Sequence, residues 1–65
     1  MNAYDRIINN ELAELNRAVA SASDSFLKYM NADNPTYKKE WHKNYRLWVK
    51  KAEGIVNAIK LVEEF

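Results

Sequence analysis

One short stretch, Asn31-Ala32-Asp33-Asn34-Pro35, interrupts an otherwise helical pattern in this 65-residue chain. It contains the only proline, and the single glycine, Gly54, lies well away from it. Asn31 tolerates the left-handed conformation that ends a helix. Asn34 suits an N-cap, and Pro35 suits the first helical position, where its missing N–H is no loss. The chain therefore reads as one all-α domain over 1–65, with a helix at 3–31, a loop at 32–34 and a helix at 35–64. Asn2 is placed to cap the first helix, with Asp5 three residues later in a capping-box position.

Each segment carries an apolar seam with alternating steps of four and three. In the first it runs Ile8, Leu12, Leu15, Val19, Ala22, Phe26 and Tyr29; in the second, Trp41, Tyr45, Trp48, Ala52, Ile55, Ile59 and Val62. Two helices of about 40 Å joined by a short loop fold back antiparallel. Pairing outward from the loop sets Ala22 near Tyr45, Val19 near Trp48, Leu15 near Ala52, Leu12 near Ile55 and Ile8 near Ile59. Large residues thus meet small ones, and the run from Ala18 to Ser23 makes room for the aromatic rings. Ser21–Ser25 is the weak point, because serines and Asp24 lower helix propensity. A break there would give three helices.

A lone hairpin of this length leaves the flanks of its seam exposed. Leu47, Gly54 and Leu61 recur every seven residues on the far side of the second helix, joined by Ala58 and Phe65. Mid-helix glycine costs about 1 kcal/mol relative to alanine, and Gly54 with Ala58 permits a close backbone approach. This second apolar face is read as a docking surface for another protein or a second copy. A dimeric four-helix bundle is the simplest closed solution. The bland alternative is tolerated apolar decoration, since single exposed apolar residues are ordinary.

Composition narrows the chemistry. Without cysteine there is neither a disulfide nor a thiolate metal site, and one histidine cannot build a zinc centre without carboxylates. No cofactor is expected. With one glycine there is no phosphate-binding loop, and no Glu-x-x-His pair signals a di-iron bundle. His42 is expected level with Ser25, as a flank residue beside Trp41, without the oriented third group that nucleophilic catalysis needs. Glu11 and Glu14 share a face, where the ordinary partner is Arg17. Asn34-Pro35-Thr36 is not a glycosylation acceptor, because proline occupies its middle position. No segment reaches the roughly twenty apolar residues of a membrane span, and the start lacks a signal-like apolar stretch. A non-enzymatic, soluble, cytoplasmic protein is the expectation.

Residues 37–51 stand apart, with six of the ten Lys/Arg, both tryptophans and a single acid, Glu40. On a helix, Tyr37, Trp41, Tyr45 and Trp48 take one face, while Lys39, Lys43, Arg46 and Lys50 take another. The aromatics at this spacing read as core, since base stacking needs exposed rings. The cations could be a solvated face. Two points count against that: they sit in the helix's N-terminal half, where the dipole disfavours cations, and acids to pair with them are scarce. The stripe is about 16 Å long. It suits an acidic protein surface, then nucleic-acid phosphates, and lastly an anionic membrane, for which the core would have to open. The formal net charge of +1 is too small to drive avid nucleic-acid binding alone.

Two near-equal helices, a short loop and no cysteine resemble the layout of small plasmid and phage regulators that dimerise as hairpins, Rop-type RNA-binding hairpins among them. The resemblance is one of architecture over the whole chain and carries no shared motif. The expected function is a small regulatory or inhibitory protein that binds a protein partner, or itself, through its second helix. Lys39, Lys43, Arg46 and Lys50 would make its electrostatic contacts, and Leu47, Gly54, Ala58, Leu61 and Phe65 its apolar ones. The alternative is a nucleic-acid-binding regulator using the same basic stripe.

Overall fold

A computed structural model describes residues 3–64 as an all-α hairpin of two packed helices, α1 (Ala3–Asn31) and α2 (Pro35–Glu63). The Asn2 cap and Phe65, the last residue of the outer apolar stripe, lie outside the described residues.

The turn is built as its residues dictate. Asn34 is extended, with φ −87° and ψ 126°, and its Oδ1 accepts a 2.8 Å hydrogen bond from the Thr36 N–H. Its carbonyl accepts from the Lys38 N–H at 2.9 Å, closing the first turn of α2. Pro35 follows the cap directly, where it forfeits no intrahelical bond. At the other end α2 stops one residue short of the expected 64, and the Glu64 N–H caps it by bonding the Lys60 carbonyl. α1 runs through Ser21–Ser25 without a break, so three helices do not form.

The seam on α1 is a correction to the sequence expectation. Leu15, Ala22 and Tyr29 face α2 as expected, but Leu12, Val19 and Phe26 are exposed flank residues. Their places are taken by Glu11, Ala18 and Ser25, one residue earlier. Ala18, at 1% exposure, and Ser25, at 2%, are the two most buried residues described. Both periodicities share the 15/22/29 row, and size decides between them. Small side chains let the helix axes approach, so α2's rings fill the space that α1 leaves. On α2 the whole expected seam is half-buried, with Asn44, Val49, Val56 and Ala58 beside it.

Register is fixed at the loop end. Asn44 Nδ2 donates a 3.0 Å hydrogen bond to the Ser25 hydroxyl. Phe26 packs on Tyr45 with centroids 5.2 Å apart, and Tyr29 on His42 at 5.0 Å. His42 therefore lies against Tyr29, with Tyr45 at 6.3 Å, while Asn44 takes the place beside Ser25. These pairs have residue numbers adding to 69–71, against 67 in the expected pairing. Trp48 consequently shares a hollow with Ala18 and Ser21, while Val19 lies on the opposite side of the hairpin. Lys28 and Lys51 extend over the Trp41 and Trp48 rings, with their nitrogens 4.6 and 5.2 Å from the centroids. Such contacts shield aromatic faces that no second layer covers.

Candidate helix-docking groove

Two helices make one layer, and a helical stripe needs something to bury against. The hairpin measures 49 × 17 × 10 Å over its Cα atoms, a slab one helix thick. Among the described residues, no large side chain is fully buried.

One broad face of this slab is an open apolar groove. Leu15, Val19 and Phe26 line it from α1, Tyr45, Val49 and Val56 from α2, and Ala22 and Ala52 form part of its floor. Val19 remains 50% exposed and Phe26 41%. Its polar lining residues are Ser23 from α1 and Glu53, Asn57 and Lys60 from α2, with the Tyr45 hydroxyl. The opposite face is different in kind. There Trp48 is surrounded by Glu14, Arg17, Ser21 and Lys51, with Glu14 and Arg17 joined by a 3.0 Å salt bridge. The hairpin is therefore two-faced, with a continuous apolar groove on one side and, on the other, a tryptophan set among charges.

The groove arises from the one-residue offset of the α1 seam. Because Ala18 and Ser25 take the contact line, Leu12, Val19 and Phe26 are displaced onto the flank. Val49 and Val56, seven residues apart, meet them from α2. Sequence reasoning missed both valines, although α2 shows three apolar rows (41/48/55/62, 45/52/59 and 49/56) where a two-stranded seam requires two.

The basic stripe lies elsewhere. Lys39, Lys43, Arg46 and Lys50 come together along α2 with His42 and Leu47, around a shallow hollow that also includes Glu40. None of the four cations is in an ion pair among the described residues; the pairs present there are Glu14–Arg17 and Asp24–Lys28. None of them lines the apolar groove.

The expected apolar docking face is only partly assembled. Leu47 and Leu61 are each 59% exposed, and Gly54 has open space where a Cβ would point. Ala58 is half-buried beside the seam. The stripe is thus present as scattered residues along α2, whereas the groove is continuous across both helices.

Among the described residues, no three His, Cys, Asp or Glu side chains gather where they could hold a metal ion. No described helix is long and apolar enough to cross a membrane. The Ser25 hydroxyl is occupied by Asn44 rather than by His42, so these residues assemble no nucleophile–base pair. No protein-family model matches the chain, and no curated protein or solved structure matches it significantly.

Proposed function

We propose that this is a non-enzymatic regulatory or inhibitory protein that works by helix docking, with the groove between α1 and α2 as its binding surface for a protein partner or a second copy. The observation that carries the reading is the open apolar face, with Val19 and Phe26 half-exposed over a floor of alanines. An amphipathic helix or helix pair lays its apolar side into such a groove, and area removed from water supplies the driving force. The expected contribution of Leu47 and Leu61 becomes secondary, because their exposed area is broken by the bare backbone at Gly54. Lys39, Lys43, Arg46 and Lys50 would steer an acidic partner along the edge of α2.

The second reading, a nucleic-acid-binding regulator, is favoured by one feature, the four cations without acidic partners. Phosphates would neutralise them and give steeply salt-dependent binding.

A photo-cross-linking amino acid placed singly at Val49, Leu61 and Lys43 tests both readings in cells making the protein. The expected result is a nuclease-resistant protein adduct from position 49. Adducts confined to position 43 and removed by nuclease would transfer the function to nucleic acid. Adducts confined to position 61 would restore the outer stripe of α2 as the docking face.

A further inference from the structure

We infer that the groove takes a single amphipathic helix of another protein, with acidic side chains along one flank and two large apolar side chains one turn apart at its centre. The inference rests on reading the groove as a docking surface, and it adds the chemistry and shape of the occupant. Charge and relief lead to it separately.

Charge distinguishes the two walls. Each wall is bordered by a helical row stepping by four and three. On α1 the row is Asn16, Ala20, Ser23, Leu27 and Met30, without a single charge. Ser23 and Leu27 line the groove, and Leu27 is 61% exposed. On α2 the row is Arg46, Lys50, Glu53, Asn57 and Lys60, three cations against one acid. The last three line the groove, while Arg46 and Lys50 continue the row toward the loop, next in the chain to Tyr45 and Val49. No member of this row is in an ion pair among the described residues. An occupant thus meets a neutral wall with one flank and a cationic wall with the other. Acids on the second flank and uncharged side chains on the first complement both. A second copy would not supply them. Laid on the groove, it would bring its own neutral row or its own cationic row against α2, with Glu53 as the only acid between them.

Relief sets the shape. Phe26–Tyr45 and Tyr29–His42 have residue numbers adding to 71. The same register puts Ala22 level with Val49, Val19 with Ala52, and Leu15 with Val56, all of them lining the groove. Large pairs therefore stand at its two ends, and each middle level sets an alanine opposite a valine. The two alanines lie on opposite walls, about 5 Å apart along the axis. They make two staggered dents between two ridges. A helix fills such a pair with large side chains three or four residues apart, which project from one face. The groove is about 20 Å long, and a helix is about 10 Å across, so one helix covers it and completes a three-helix bundle.

The probe is a synthetic helical peptide of about 18 residues, enough to span the groove, with a leucine stripe, glutamates along one flank and glutamines along the other. Two further peptides carry glutamine or lysine in place of the glutamates. Fluorescence anisotropy reads their binding to the 65-residue chain. At low salt the glutamate peptide should bind about tenfold tighter than the glutamine one, the sum of two or three surface pairs. Added salt should erase the difference, and the lysine peptide should bind weakest. Arg46→Glu combined with Lys50→Glu should reverse the order of the glutamate and lysine peptides. Ala52→Leu fills one dent and should weaken every peptide by roughly tenfold. Equal affinity of the wild-type chain for the glutamate and glutamine peptides overturns the acidic flank, and unchanged binding in Ala52→Leu overturns the dents. Light scattering and Val49→Asp separate this inference from the reading beneath it. A dimer of twice the 7.6 kDa chain mass that takes up no peptide gives the groove to a second copy and rejects the inference alone. A monomer that takes up no peptide rejects both, as does binding that survives Val49→Asp in a chain still helical by circular dichroism.

Discussion

At the scale of single residues, the closest approach of the helices is set by Ala18 and Ser25, and the register by Ser25 and Asn44. Ser25 is buried at 2% exposure, and its hydroxyl accepts from Asn44 Nδ2 at 3.0 Å. Removing the hydroxyl leaves a half-buried amide short of a partner. Ser25→Ala is therefore expected to lower stability by about 1 kcal/mol, and Asn44→Ala by a similar amount. The double variant should lose less than the sum, because the two share one interaction. Urea unfolding of the four proteins completes this cycle, and additive losses would mean that the bond contributes nothing. Ala18→Leu should be worse, at roughly 1–3 kcal/mol, since Ala18 is 1% exposed on the line of closest approach and a larger side chain would push the helices apart. The sequence hid these roles for a definite reason. The rows 12/19/26 and 11/18/25 both alternate with 15/22/29 in steps of four and three. Hydrophobicity selects the former; the need for small residues opposite tryptophan selects the latter. Ser25 read as a flaw in the helix, and it is the polar contact that aligns the pair.

At the scale of the elements, local chemistry was sufficient. The breaker cluster at 31–35 placed both helix ends at the loop, because capping and proline geometry act within a few residues and need no tertiary knowledge. The Asn34 cap is exposed and makes a short bond to the Thr36 N–H, so Asn34→Ala should cost α2 about 1 kcal/mol. Gly54 is the opposite case. A Cβ there meets nothing within 4 Å, so Gly54→Ala should stabilise the hairpin by up to about 1 kcal/mol. Thermal unfolding followed by circular dichroism reads both effects. The sign at Gly54 is informative beyond the helix. Destabilisation would mean that another backbone approaches it in the working protein, as the Gly54/Ala58 spacing suggests. Stabilisation would leave the outer stripe of α2 without a docking role. The candidate site was less legible than the helices, because the groove depends on which rows of two helices face each other. That is a property of the pair, and the pattern of neither helix contains it alone.

At the scale of the whole molecule, the hairpin has secondary structure in full and very little interior. Its described buried residues are Ala18, Ala22 and Ser25, none of them large. A chain this short, with no disulfide and no metal cluster among its described residues, usually relies on a partner chain. Its helices, 29 residues each, are held mostly by packing, because propensity alone leaves isolated helices marginal in water. If a second copy supplies that packing, unfolding and dissociation are one event, and stability depends on protein concentration. Each tenfold dilution should then remove about 1.4 kcal/mol, lowering the thermal midpoint by several degrees per decade. Helix content should fall together with molar mass as the dissociation constant is crossed. Val49→Asp should then give a chain whose midpoint is low and independent of concentration, since a copy docked on the groove would bury the charge without a counter-charge. A wild-type midpoint that stays fixed over two decades of dilution would mean instead that the slab is stable with its apolar face in water, and the groove would then await a different protein.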